Sequence, residues 1–235
     1  GLEKQLGMKS SIKSRLLSYL ELRESQKADR LSTVSQNLKR YLSLKTHSRD
    51  IIVIPSCVNE TRIFFDLTAR NEIRKALGLD QHTILLCYSG GSSAWQRMGD
   101  IVSLLKDICL TSPRYRSLFL TTSLPEVTSM IEQAKFPPGQ AFIVSTPQNE
   151  VHRYLSAADV GLIMRHDTIV NNVASPVKVG EYLACGLPVI LTRGIGDYSD
   201  MLPDASVGLL LNEDTDMVNQ VVSFLERNDF THLKH

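Results

Sequence analysis

The stretch Ala174-Ser175-Pro176-Val177-Lys178-Val179-Gly180-Glu181-Tyr182-Leu183-Ala184-Cys185-Gly186-Leu187-Pro188-Val189-Ile190-Leu191 reads as helix, stop and buried strand. Ser175 suits an N-cap and Pro176 the first helical position, where a missing N–H costs nothing. Val179 and Leu183 fall four apart on one face. Gly186 supplies a left-handed residue that ends the helix, and Leu187–Leu191 runs apolar, as a parallel strand covered on both faces does. Lys178 and Glu181 share another face of the helix. A helix start carries unpaired N–H groups and partial positive charge, so a lysine there attracts phosphate, while a carboxylate one turn on can accept from sugar hydroxyls. The plainer reading of the same two residues is an i, i+3 ion pair on a solvated face.

Outward from this stretch the chain alternates. Strands are expected at Ile84–Tyr88, Ser117–Thr121, Ala141–Val144, Val160–Met164, Leu187–Leu191 and Val207–Leu211. Helices are expected near Met98–Leu110, Pro125–Gln133, Asn149–Ala157, Pro176–Cys185 and Asp216–Arg227, with a further helix near Thr68–Leu77 ending at Gly78. Such alternation requires a parallel, doubly wound α/β sheet, because right-handed crossovers put helices on both faces. Residues 80–212 are therefore read as a Rossmann-like domain. Residues 61–79 are a connector and helix, and 213–235 a C-terminal helix and tail. In residues 1–60, a strand at Asp29–Val34, a helix capped by Ser35 and running through Tyr41, and a strand at Ile51–Ile54 make one partial βαβ unit.

The 235 residues carry a net charge of only +1, but residues 1–50 hold eleven Lys or Arg against five Asp or Glu. Residues 8–28 read as an amphipathic helix in which Ile12, Leu16, Leu17, Leu20 and Leu22 interleave with Lys13, Arg15, Arg23 and Lys27. Its apolar face is expected to pack on protein, the alternative being an acidic membrane surface. The four cysteines are scattered without a C-x-x-C pair, and Cys87 and Cys185 sit in apolar runs as small core residues, which points to a reducing, cytoplasmic setting. No run reaches the roughly 18–20 apolar residues that span a bilayer.

In a doubly wound sheet, ligands bind outside the carboxyl ends of the strands, so the residues just after each strand are the candidates. After the first strand, Ser89-Gly90-Gly91-Ser92-Ser93 lets backbone approach a phosphate or sugar; the alternative is a tight turn. It is not a G-x-G-x-x-G fingerprint, and Thr121 and Thr122 stand where a dinucleotide domain has its acidic residue. Thr146, within Ser145-Thr146-Pro147 after the third strand, offers backbone groups to a nucleobase edge. Arg165 and His166 follow Val160–Met164, the arginine as a phosphate grip and the histidine as a structural hydrogen-bonder or ligand. Asp214-Thr215-Asp216 is read as a helix cap, not a metal site. Motifs of metalloproteases, P-loop enzymes and α/β-hydrolases are missing.

With these pieces placed, the sequence resembles the carboxyl-terminal, donor-binding domain of GT-B-fold glycosyltransferases of the group 1, family-four-like type. The resemblance is carried by Ala28 through Ser35, by Ile52-Val53-Ile54-Pro55-Ser56-Cys57-Val58-Asn59 with Asn59 where aspartate is usual, and by Leu86–Gly90 with Trp95-Gln96. Tyr154–Leu162 and Ser175–Ile190 complete it, so that it covers residues 28–210. It implies transfer of a hexosyl unit from a nucleoside-diphosphate sugar to an acceptor hydroxyl, with retention, in polysaccharide or glycoconjugate assembly. It implies no metal, no cofactor beyond the donor itself and no nucleic-acid partner. Glu181 matches the second glutamate of the family's Glu-x(7)-Glu motif, which holds the donor ribose; Val173 stands at the first. Lys178, in a Ser-Pro-x-Lys form, matches a residue near the donor phosphates, and Arg97 is the nearest counterpart of a basic residue after the glycine loop. The implied donor site comprises Gly90, Gly91, Ser92, Arg97, Thr146, Arg165, His166, Pro176, Val177, Lys178 and Glu181. No catalytic side chain is assigned. The saccharide or lipid-linked acceptor belongs to an amino-terminal domain of which residues 1–60 are the remnant, in an enzyme that is cytoplasmic or peripheral to the inner membrane face. Two alternatives are a GT-B-fold nucleotide-sugar 2-epimerase and a noncatalytic nucleotide-sugar-binding module.

Overall fold

A computed structural model describes residues 12–46, 50–202, 207–228 and 230. The chain begins with helix α1 (Ile12–Lys27), followed by β1 (Leu31–Thr33), α2 (Gln36–Thr46) and β2 (Ile51–Val53). Strands β1 and β2 pair in parallel with α2 as the crossover, giving the expected βαβ unit. Ser35 caps α2 as expected, its Oγ accepting from Leu38 N–H at 2.9 Å. Helix α1 departs from expectation. Leu16, Leu17, Tyr19 and Leu20 are all exposed, because its leucines and charges are spread around the helix instead of being segregated. The expected helix began at Met8; residues 8–11 lie outside the described residues.

Helix α3 (Leu67–Ala76) leads into the main sheet, built from β3 (Ile84–Ser89), α4 (Met98–Thr111), β4 (Tyr115–Leu120), α5 (Leu124–Ala134) and β5 (Ala141–Val144). The second half comprises α6 (Val151–Ala157), β6 (Val160–Ile163), α7 (Ile169–Asn172), α8 (Val177–Ala184), β7 (Val189–Thr192), α9 (Tyr198–Met201), β8 (Gly208–Leu211) and α10 (Met217–Arg227). All six strands are parallel, in the order β5-β4-β3-β6-β7-β8. The winding reverses between β3 and β6, which is where a doubly wound sheet opens its ligand crevice.

Alternation along the strands builds two cores. Ile84, Leu86 and Tyr88 of β3 point into one layer with Ile101, Leu105 and Val127, under α4, α5 and α10. Leu85 and Cys87 point into the other with Leu155, Val179 and Tyr182, under α6 and α8. Every residue of β3 is buried, as expected of a central strand covered on both faces. Burial of each large side chain here contributes on the order of 1.5–3 kcal/mol. Cys87, Cys109 and Cys185 are buried and Cys57 is exposed.

Local stops follow the sequence. Gly78 and Gly186 take positive φ after α3 and α8, and Asp216 caps α10 by accepting from Asn219 N–H. Ser175 does not cap α8, whose flanking residue is Pro176 and which has no side-chain cap. Its Oγ instead accepts from Ser56 N–H at 3.2 Å, since the proline delays the helical turn by one residue and turns Ser175 toward the linker. Ser35 Oγ donates to the Val173 carbonyl at 2.7 Å, and Asp197 receives the N–H groups of Gln36 and Asn37. The βαβ unit is thereby fastened to the segment that enters α8. Among the described residues no helix is long and apolar enough to cross a membrane.

Candidate functional site at the carboxyl edge of the sheet

A cleft of about 210 Å³ opens at the carboxyl edge, lined by Ser89, Gly90, Gly91, Thr121, Thr146 and Lys178 among others. Three strand ends and the start of α8 therefore meet, as the switch-point rule requires. The glycine loop is held tightly. The Tyr88 hydroxyl donates toward the Gly91 carbonyl at 2.6 Å and lies 3.0 Å from Gln96 Oε1. A Cβ at Gly90 would sit 2.6 Å from that hydroxyl, so a larger residue there must displace the phenol that holds the loop. Burial raises the Tyr88 pKa, keeping the phenol protonated as this bond demands.

Lys178 and Glu181 form the expected i, i+3 pair at 2.7 Å, but not on a solvated face, because Glu181 is only 5% exposed. The other carboxylate oxygen of Glu181 accepts from Gln148 Nε2 at 3.3 Å. Glu181 also lines a second cleft of about 670 Å³ with Val58, Phe64, Gln148, His152 and Val177. Gln148 borders both clefts, so the Gln148–Glu181 contact forms part of the wall between them.

Arg165, just past β6, lies near Tyr88, its backbone N–H donating to Thr192 Oγ1 at 2.9 Å. Its NH1 makes a long bond to Asn171 Oδ1 at 3.4 Å, its Nε is buried without a hydrogen-bond partner, and among the described residues it has no carboxylate at ion-pair distance. Burial lowers its pKa, an effect that the nearby Tyr88 offsets in part. A partly desolvated guanidinium that no carboxylate pairs with carries a cost that an arriving anion offsets.

The remaining expected residues are distributed unevenly. Pro176 is buried ahead of α8 and Val177 is exposed into the larger cleft. Ser92 N–H donates to Ser123 Oγ, fixing the outer part of the glycine loop. His166 is exposed, and its carbonyl accepts from Asn171. Arg97 is held by Asp100 at 2.6 Å and Glu213 at 2.5 Å, in a left-handed conformation with φ 50°. Burial opposes its charge, but the hydrogen bonds it donates to these two carboxylates outweigh that and raise its pKa. Its charge is thus already neutralised. Thr121, Gln148 and Tyr182 were not on the expected list. Thr121 is signalled by its place after a strand, whereas only the fold brings the exposed Gln148 against Glu181 and encloses Tyr182.

No protein-family model matches the chain, and no curated protein matches it in sequence. Solved structures do share its fold. Sucrose-phosphate synthase from Thermosynechococcus elongatus superposes with a TM-score of 0.67 at 18% identity, covering 93% of this chain and 53% of that one. HepE from Anabaena, in complex with UDP and glucose, gives 0.63 at 14% identity over 92% of this chain and 64% of its own. The C-terminal domain of LpcC from Francisella tularensis, a glycosyl transferase group 1 family protein, gives 0.53 at 13% identity over 72% of this chain and 86% of that domain. The chain spans about half the length of the sucrose-phosphate synthase it matches, and its architecture is the GT-B glycosyltransferase fold.

Proposed function

We propose that this GT-B-fold chain is the donor-binding part of a glycosyltransferase that uses a nucleoside-diphosphate sugar and transfers its hexosyl group, with retention, to an acceptor hydroxyl. The observation that carries the reading is Arg165, a half-buried cation with an enclosed, unpartnered Nε and no carboxylate at ion-pair distance among the described residues, near the Tyr88 that holds the Gly90-Gly91 loop of the cleft where Lys178 also lies. Departure of a nucleoside diphosphate builds negative charge on the leaving oxygen. A helix start, Lys178 and Arg165 supply positive charge there without calling on a metal or a further cofactor. Lys178 then exchanges Glu181 for the diphosphate, and Glu181, released on one oxygen, accepts from the ribose hydroxyls. HepE, which shares the fold, was solved with UDP and glucose, and this supports a ligand of the same kind here.

The acceptor, a saccharide or a lipid-linked sugar of polysaccharide or glycoconjugate assembly, is assigned to an amino-terminal region continuous with β1 and β2. We place the protein in the cytoplasm or at the inner face of a membrane. A noncatalytic nucleotide-sugar-binding module is the second reading, favoured by one observation: Val173, where the family's first glutamate stands, gives only its carbonyl, and that is taken by Ser35.

Thermal shift with UDP, GDP and ADP tests the first step: one of the three raises the melting temperature while its nucleoside raises it less. No response to any of the three contradicts the donor site. Sugar transfer by a form extended at its amino end decides between enzyme and binding module.

A further inference from the structure

Strands β3 and β6 pair only at Leu86↔Val160 and Cys87↔Gly161, although β3 continues to Ser89 and β6 to Ile163. Beyond Cys87 the ladder is interrupted by a side chain. The Tyr182 hydroxyl accepts from Ser89 N–H at 2.7 Å and faces the Leu162 carbonyl at 3.4 Å, the two groups lying on the strands that part. Its ring is seated on Gly161, where a Cβ would come within 2.5 Å of it, so only glycine admits the ring this close to the strand. Tyr182 is fully enclosed, and burial first of all holds its pKa well above that of a free phenol, so its proton remains available to the Leu162 carbonyl.

We propose that Tyr182 is a positioning residue that wedges β3 and β6 apart at the point where the winding reverses, and so sets the spacing between the glycine loop and Lys178. The connection is short on both sides. Ser89 is the residue before Gly90-Gly91, whose outer end the Tyr88 hydroxyl holds. Tyr182 lies one helical turn beyond Lys178 on α8, so the same rigid helix carries the wedge and the cation. A buried N–H at a strand end needs a partner. Satisfying Ser89 N–H from the helix, and not from the neighbouring strand, keeps the crevice open with its backbone in register. A diphosphate bridging the glycine loop and Lys178 reads that spacing directly; a nucleoside does not.

This inference rests on the donor-site reading, and its test separates the two. Calorimetry measures inorganic pyrophosphate, UDP, GDP, ADP and the corresponding nucleosides on the wild-type chain and on Tyr182→Phe, which retains the ring and drops the bridge. A lost neutral hydrogen bond changes affinity about three- to tenfold. The expected result is a loss of that size for pyrophosphate and for whichever diphosphate the wild type binds, with nucleoside affinity unchanged within about twofold. Equal losses for diphosphate and nucleoside, or no loss for either, overturn the positioning role while leaving the donor site standing. A wild type that binds neither pyrophosphate nor any diphosphate overturns the donor site and the inference with it. Amide NMR of the wild type supplies a second measurement independent of the variant's folding. Saturating pyrophosphate moves the Ser89, Gly91 and Lys178 resonances together, and a Ser89 amide that stays still while Lys178 moves contradicts the coupling.

Discussion

The two edges of the same sheet treat arginine in opposite ways. At the amino edge, Arg70 and Arg74 of α3 both reach Asp159, at 2.7 and 3.0 Å, where β6 begins. Arg70 also donates to the carbonyls of Ser156, Ala157 and Ala158 at the end of α6, and Arg74 to those of Asp80 and Thr83. Asp159 further accepts from Leu85 N–H. Charge and hydrogen-bonding capacity are both met from within the chain. At the carboxyl edge, Arg165 is half-buried, its Nε is enclosed without a partner, and among the described residues no carboxylate pairs with it. The first arrangement ties a helix to a sheet; the second leaves a cation for something from outside. Burial alone does not separate the two roles, and neutralisation does.

The comparison is broken most severely at Asp159. Asp159→Ala leaves two arginines enclosed without their counter-charge, and urea unfolding should show a loss of about 3–5 kcal/mol, with diphosphate affinity of the folded fraction retained. A loss below about 1 kcal/mol would mean that the network is solvated in the manner of a surface pair. Next comes Lys178→Ala, expected to weaken UDP, GDP or ADP by about 1.5–3 kcal/mol, as for a hydrogen bond to a charged group, and the bare nucleoside hardly at all. Equal losses for both ligands would remove the phosphate role. Glu181→Ala should cost about 1–3 kcal/mol in nucleoside affinity, and unchanged calorimetric binding would rule out a ribose contact.

The smallest effect is in the core between the edges. Burial pushes the Cys109 thiol up to about 11, against its hydrogen bond with Ser117. A raised acid favours the protonated form in the folded state. Its contribution is therefore complete below the unfolded thiol's pKa near 8.5 and is lost as pH rises through about 11. Stability measured from pH 8 to 11 should fall, and Cys109→Ala should flatten part of that slope; parallel profiles would contradict the assignment. Of the four thiols, Cys57 alone should react with a thiol reagent in the native protein.

How much of this was legible in the sequence depended on the range of the interaction concerned. Periodicity within a strand or helix is local, and the main-sheet strands and the stops at Gly78 and Gly186 fall where pattern and glycine placed them. Ser35 capping α2 and Asp216 capping α10 are likewise decided within three residues. Ser175 was misread because its choice lay between a local N–H and Ser56, 119 residues away. For Arg97, the i, i+3 partner Asp100 is in view in the sequence, but Glu213, 116 residues on, is not. The Arg70–Arg74–Asp159 network has a signal in the sequence, two arginines four apart on one helix face and an aspartate entering a buried strand. Tyr182 had none, since its role depends on where β3 and β6 part. For α1, leucines alternating with basic residues looked amphipathic in the written sequence, but wrapped on a helix they form no continuous apolar stripe.

The central claim, that the carboxyl edge keeps an unneutralised arginine for an anion, is tested most directly by Arg165→Met followed by unfolding with and without inorganic pyrophosphate. The expected result is a variant as stable as wild type or more so, because removing a half-buried charge that no carboxylate pairs with among the described residues relieves a desolvation cost, with the pyrophosphate-induced rise in melting temperature abolished. A variant that is destabilised as Asp159→Ala is, or one that is stabilised by pyrophosphate as fully as the wild type, would contradict it.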